Sequence, residues 1–132
     1  MKTFELSIGT PDGLLFHDQV ERIIVRSVTG DLAILADHIN YVTALGMGES
    51  TVVLEDGSRK TAACIGGMLS VMDGACHVLA TTWEWKEDID VERAQNAKNH
   101  AEDLLKTKLE GKELRLAEAK LNRALVRLSV AK

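Results

Sequence analysis

In the first two thirds of the chain the apolar positions fall in short runs. The clearest are Glu21-Arg22-Ile23-Ile24-Val25-Arg26-Ser27-Val28, Leu32-Ala33-Ile34-Leu35, Ser50-Thr51-Val52-Val53-Leu54 and Cys76-His77-Val78-Leu79-Ala80. Their β-branched content and close punctuation by turn residues predict strands. Nine of the ten glycines lie before residue 75, and only Gly111 falls later. Glu55-Asp56-Gly57-Ser58, set between two such runs, predicts a tight hairpin, because Asp-Gly tolerates the positive φ such a turn demands. Many short strands with frequent turn signals point to a sandwich or barrel. From Asp88 the apolar period lengthens to three or four, through Ala94, Ala97, Ala101, Leu104, Leu105 and Leu109, then Leu114, Ala117, Leu121, Ala124, Leu125 and Leu128. This predicts two amphipathic helices around a turn at Gly111. Asp90 is the expected N-cap of the first, and Glu92 suits the positive end of its dipole. The fold class is therefore α+β: a flattened antiparallel β-sandwich or barrel over residues 1–86, then an antiparallel helical hairpin over residues 87–132. So much alanine on the helical stripes lets the backbones approach closely but buries little area, so the hairpin is expected to be movable.

Composition sharpens this picture. A chain of 132 residues and 14.4 kDa holds one domain, or a small domain with an appendage. With 45% hydrophobic and 27% charged residues it has the balance of a soluble globular protein with a real core. A net charge of -4 gives no counterion-release drive toward DNA or RNA. No apolar run reaches the ~20 residues of a membrane span, and Met-Lys-Thr-Phe-Glu-Leu-Ser lacks the apolar core of a secretory signal, so a cytoplasmic location is expected. Cys64 and Cys76 read as buried thiols, with a disulfide as the lesser alternative in a reducing compartment. Charge divides where the period does: residues 1–87 carry 6 Lys+Arg against 12 Asp+Glu, and residues 88–132 carry 10 against 8. The basic residues of the last helix, Arg115, Lys120, Arg123 and Arg127 among them, look for an anionic partner or form a solvated face.

Four places could carry chemistry. Asp37-His38 could pair as orienter and base, although adjacent strand residues point to opposite faces and no nucleophile signature accompanies them. His17, His77 and His100 lack the short helical spacing of a metal pair, so no metal site is expected. Gly66-Gly67 could cradle a phosphate, but without the P-loop spacing a strand bend is the better reading. In the helical half, Asp90 with Arg93 and Arg123 with Arg127 each share a helix face. An antiparallel hairpin brings both pairs to one end, where three guanidiniums and a carboxylate could hold a nucleotide or simply form exposed ion pairs.

The same residues bring in a family. Gly30-Asp31-Leu32-Ala33-Ile34-Leu35-Ala36-Asp37-His38 with Val42-Thr43-Ala44-Leu45, then Gly66-Gly67-Met68-Leu69-Ser70-Val71, Ile89-Asp90-Val91-Glu92-Arg93-Ala94 and Arg123-Ala124-Leu125-Val126-Arg127-Leu128-Ser129-Val130-Ala131 follow in order along the whole chain. In this arrangement the chain resembles the epsilon-subunit family of bacterial F-type ATP synthases. The resemblance implies a sandwich of about ten strands beside the gamma subunit at the foot of the rotor stalk, and a hairpin that folds down on the sandwich or extends into the catalytic alpha/beta head to block ATP hydrolysis. It implies a non-catalytic subunit at the cytoplasmic face of the cell membrane, peripheral through its complex, in which rotation is driven by protons. It places Asp31 near the c-subunit ring and His38 near gamma. The Ile-Asp-x-x-Arg-Ala motif implies ATP as a regulatory ligand, no other cofactor being required, with Glu84, Ile89, Asp90, Arg93, Ala94, Arg123 and Arg127 around it. Two positions depart from the family. His100 stands where ATP-binding relatives can have an arginine, which weakens affinity or makes it pH-dependent. Asn40 replaces a proline after the loop histidine, which is expected to loosen that turn. Two rival readings are a freestanding ATP-sensing module and a small hydrolase built on Asp37-His38.

Overall fold

The structure, a computed structural model, describes residues 2–132. The first domain has six strands: β1 (Phe4–Thr10), β2 (Gly13–Ser27), β3 (Gly30–Leu35), β4 (Tyr41–Leu54), β5 (Arg59–Met72) and β6 (Ala75–Trp85). They form one sheet in the order β1-β6-β5-β4-β2-β3, and an additional β1–β2 pairing closes five of them into a barrel with β3 alongside β2. Five of the six ladders are antiparallel, while β1 runs parallel to β6, from Glu5 opposite Ala75 to Gly9 opposite Leu79.

The expected count of about ten strands becomes six because the long strands turn corners without ending. In β2 the register against β4 shifts between Val20 and Arg22 and again between Ile24 and Ser27. In β5 the bend lies at Gly66 and Gly67, whose φ values of 75° and 130° are left-handed. Glycine in the sequence thus marks a corner inside a continuous strand as readily as a turn between two strands. The Asp-Gly turn does end a strand: Gly57 has φ 87°, and its N–H donates to the Leu54 carbonyl at 2.9 Å.

Alternation sends one side of each strand inward. Phe4, Leu6 and Ile8 of β1, Ile23 and Val25 of β2, and Cys76, Val78 and Ala80 of β6 meet in one buried core that also takes in Leu69, Val71 and Trp83. The β-domain therefore has a core of its own, separate from the helices.

A short 3-10 turn (Lys86–Asp88) leads to α1 (Val91–Leu105) and α2 (Gly111–Ala131). The Asp90 carboxylate accepts the Arg93 N–H at 3.0 Å, so the expected N-cap is present. Helix α1 stops short of Leu109, with the Thr107 hydroxyl donating to the Leu104 carbonyl at 2.6 Å, and Gly111 at φ 58° opens α2. Ala94 and Ala101 of α1 and Ala117 and Ala124 of α2 are all buried in the seam between the helices. The hairpin rests on the barrel through α2, where Val130 packs with Ala63 of β5 and with Ile89, flanked by Val126 and Ala131.

Candidate functional site

Helical spacing puts Arg93, Ala97 and His100 on one face of α1, at i, i+4 and i+7, and Lys120, Arg123 and Arg127 on one face of α2, at i, i+3 and i+7. Short β-branch-free seams of alanine hold these faces side by side. Together with the end of β6 and the 3-10 turn they enclose a cavity of about 360 Å³. Glu84, Asp90, Arg93, Ala94, Arg123 and Arg127 all line it. So do His100, which the sequence singled out on the first helix, and three residues that were not expected there, Asp88, Ala97 and Lys120. Lys120 was legible, since it lies three residues before Arg123 on the same helix face; Asp88 was not, because the 3-10 turn that presents it has no sequence signal.

One contact ties the cavity to the barrel. The Arg127 guanidinium donates from Nε to Glu84 Oε1 at 2.7 Å, joining α2 to β6 across the domain junction. Strand alternation places Glu84 between Trp83 and Trp85, so the carboxylate looks out toward the helices while Trp83 enters the core. Trp83 and Trp85 meet edge to face at 5.5 Å, and Lys60 Nζ lies 4.2 Å from the Trp85 ring centre. Ile89 is the member of the expected set whose side chain does not line the cavity. Its apolar side chain is drawn instead into the buried cluster with Ala63 and Val130.

The lining supplies three carboxylates, four permanent cations and an imidazole, and no hydroxyl or thiol that could act as a nucleophile. Guanidinium groups suit phosphate oxygens through bidentate hydrogen bonds, and carboxylates accept from amino or hydroxyl groups. The arrangement is suited to recognition of a polar anion rather than to bond cleavage. Among the described residues no group of three or more His, Cys, Asp or Glu is placed to hold a metal ion.

The remaining expected positions lie on the barrel, away from the cavity. Asp31, at the start of β3, is exposed and accepts from Arg26 Nη1 at 3.2 Å. His38, in the β3–β4 loop, engages the Ile39 carbonyl through Nδ1 at 2.7 Å and meets the Tyr41 ring edge to face. Asp37 turns away to Lys2 Nζ at 2.8 Å, so the pair needed for the hydrolase reading is not formed. Asn40 does the opposite of loosening its loop: its side-chain oxygen accepts the Asp73 N–H at 3.0 Å and links the β3–β4 and β5–β6 loops. Cys64 and Cys76 are free and buried, and burial pushes their thiols up to about 11 and about 12. At Gly67 an added Cβ would lie 2.3 Å from the Leu79 carbonyl oxygen, which supports close strand packing over a phosphate cradle.

Similar proteins point one way. Residues 3–86 match the family described as ATP synthase, Delta/Epsilon chain, beta-sandwich domain, and residues 87–132 match ATP synthase, Delta/Epsilon chain, long alpha-helix domain. An ATP synthase epsilon chain of Caldanaerobacter subterraneus is 40% identical over 130 residues, covering 98% of this chain and 94% of the relative. One of Bacillus velezensis is 41% identical over 131 residues, covering 99% and 98%. A sodium ion specific ATP synthase epsilon chain of Acetobacterium woodii is 36% identical over 100 residues, covering 76% and 75%. In fold, the chain is similar to one in the Euglena gracilis mitochondrial ATP synthase (OSCP/F1/c-ring, rotational state 1), with a TM-score of 0.84 at 24% identity, covering 98% of this chain and 81% of that one. It is also similar to one in the central stalk/c-ring of the Tetrahymena thermophila mitochondrial enzyme, with a TM-score of 0.71 at 14% identity, covering 99% and 98%. No helix among the described residues is long and apolar enough to cross a membrane.

Proposed function

The chain belongs to the ATP synthase delta/epsilon family as a non-catalytic subunit, and on that premise we propose that it works in the rotor's central stalk and that its hairpin is an ATP-sensitive brake on hydrolysis. In this reading the barrel is the fixed part, seated beside gamma with Asp31 toward the c-subunit ring and His38 toward gamma. The complex holds the subunit at the cytoplasmic face of the membrane, and rotation driven by the coupling ion, protons in the simplest case, is transmitted through it to ATP synthesis.

The hairpin is the moving part. Its attachment to the barrel includes a small apolar cluster, one partly exposed ion pair and contacts of α2 with β4 and β5. Burial of one or two aliphatic side chains at ~1.5–3 kcal/mol each and a partly exposed ion pair at ~0.2–1 kcal/mol leave little to hold it once ordering entropy is subtracted. Such an element opens at low cost, and a ligand or partner that favours one position shifts the balance. Opened, the hairpin offers Arg115, Lys120, Arg123 and Arg127 to acidic loops of the alpha/beta head and stops hydrolysis there.

The observation that carries the regulatory part is the cavity itself. It is completed by the barrel when the hairpin lies on it, because Glu84 comes from β6, Asp88 from the 3-10 turn at the junction and the cations from both helices. A nucleotide with its phosphates on Arg93, Arg123 and Arg127 and a polar edge on Asp90 or Glu84 therefore stabilises the folded-down position. Titrating ATP into the purified chain while following Trp83 and Trp85 fluorescence tests this. A saturable change in the wild type that is lost in Arg93→Ala is expected; no change up to about 10 mM ATP would remove the nucleotide from the mechanism. Gel filtration with gamma separates the rotor reading from a freestanding ATP sensor, since only a stalk subunit has reason to co-elute.

A further inference from the structure

Several apolar side chains that the core leaves outside gather on one face of the barrel. Across β4, β5 and β6 the register sets Met68 between Ala44 and Leu79, Ser70 between Val42 and His77, and Met72 opposite Ala75. Met68, Ser70 and Met72 turn outward, because Leu69 and Val71 between them point into the core. Val42, Met68, Met72 and Leu79 are 57%, 45%, 50% and 67% exposed. Sulfur among the described residues is thus divided by type. Two thioethers stand in solvent on this face, and a third, Met47, lies 38% exposed on β4 among Arg26, Asp31 and Glu49. Both thiols, Cys64 and Cys76, are buried.

We propose that Met68 and Met72 are sites of reversible oxidation by hydroperoxides, which turns this face of the barrel from apolar to polar while the core and its two cysteines stay untouched. The thioether sulfur attacks one oxygen of hydrogen peroxide with its lone pair. The O–O bond breaks, an S–O bond forms, and the second oxygen leaves with both hydrogens as water. Sulfur loses two electrons and the peroxide gains them, so no further reactant is needed. Cys64 and Cys76 compete only as thiolates, and they are 3% and 0% exposed with their thiols pushed up to about 11 and about 12. A thioether has no proton to lose, so its reaction needs only contact with solvent. The sulfoxide is a polar acceptor. On an outer face water satisfies it and core packing is left alone, whereas the same change at a buried methionine disrupts a core. An exposed sulfoxide is also open to the reductases that restore methionine. Met47 stands among charged groups, so oxidation there removes less apolar surface from this face.

The test exposes the full chain to hydrogen peroxide at about pH 6 and about pH 8 and follows each sulfur by peptide mass mapping. Met68 and Met72 are expected to gain one oxygen each, equally fast at the two pH values and within about tenfold of their rates in the urea-unfolded chain. Cys64 and Cys76 should still be alkylated in full once the oxidised chain is unfolded. Retention on a phenyl column should fall after oxidation, a shift that the double variant Met68→Leu, Met72→Leu largely lacks, and a methionine sulfoxide reductase should restore it. The urea midpoint of the oxidised wild type should remain that of the untreated protein. Protection of either methionine by more than about tenfold on folding, or loss of the cysteines before them, would overturn the proposal. So would a lowered urea midpoint, which places a sulfoxide in the packed core, or unchanged phenyl retention, which leaves the face apolar.

Discussion

Gly67 has φ 130°, and an added Cβ there would sit 2.3 Å from the Leu79 carbonyl oxygen and 2.7 Å from the Ala80 Cα, both backbone atoms of the paired strand β6. Neither can yield without opening the β5–β6 ladder. Gly67→Ala is expected to destabilise the barrel by about 2–4 kcal/mol, read as a lower urea midpoint, whereas Gly57→Ala, with open space around it, should cost only the strain of its φ of 87°. Cys64 and Cys76 give a second prediction. Their thiols are pushed from the ordinary value of 9.0 up to about 11 and about 12, so the folded state keeps protons that the unfolded chain releases. Stability is then unaffected below pH 9 and falls as pH rises from there toward 11, because the native state binds more protons. Urea unfolding at about pH 8 and about pH 10 should show this loss, and Cys76→Ala should show a smaller one. Sequence legibility at this scale followed local rules. The Asp90 cap and the shared faces of Arg123 and Arg127 follow from spacing alone. The side-chain direction of Ile89 and the presence of Asp88 in the cavity depend on a 3-10 turn that no periodicity announces.

Between elements, the contrast in packing is large. The six strands share one core built from Leu6, Ile8, Val20, Ile23, Val52, Leu69 and Val78, all at most 1% exposed. The helices are joined by four alanines and rest on the barrel through one small apolar cluster, the Arg127–Glu84 pair and contacts of α2 with β4. Deleting residues 87–132 should therefore leave a barrel that unfolds cooperatively and retains the near-ultraviolet signal of Trp83. A truncated chain without that transition would mean that the hairpin is part of the folding unit. In the intact protein, amides of α1 and α2 should exchange at least about tenfold faster than those of the central β5. The division of the chain into these two kinds of structure was readable from the change in apolar period near Asp88. The way α2 meets the barrel was not, because Val130 and Ala63 look like ordinary stripe and strand residues until tertiary structure pairs them.

Across the whole molecule, charge and architecture reinforce each other. Residues 1–87 are net acidic and residues 88–132 net basic, so a folded-down hairpin lies on a barrel of opposite sign. The pair Arg123 and Arg127 takes part in both proposed positions, in the cavity when down and toward the alpha/beta head when extended. Reversing both to glutamate is expected to raise ATP hydrolysis in a reconstituted head by at least about threefold at low salt, with a smaller difference at high salt, where screening weakens the original attraction. Unchanged hydrolysis would remove these arginines from inhibition. Barrel closure was the least legible feature at this scale. The parallel β1–β6 ladder joins positions some seventy residues apart, and nothing in the alternation of either strand reveals it.

That ladder also sets an order in time. Strand β1 sits between β2 and β6, so the barrel cannot close until the chain has been made through Trp85 and the last strand has found the first. Closing so long a loop is slow compared with forming two helices joined by a five-residue connection, whose contacts are local. During synthesis the completed barrel is therefore only ready once the ribosome has begun on the hairpin, and during refolding from urea the helices have no surface to settle on until the barrel shuts. The helical signal should appear early and partially in a refolding trace, and consolidate only at the rate of the tryptophan signal. The hairpin settles last, onto a barrel that is already closed.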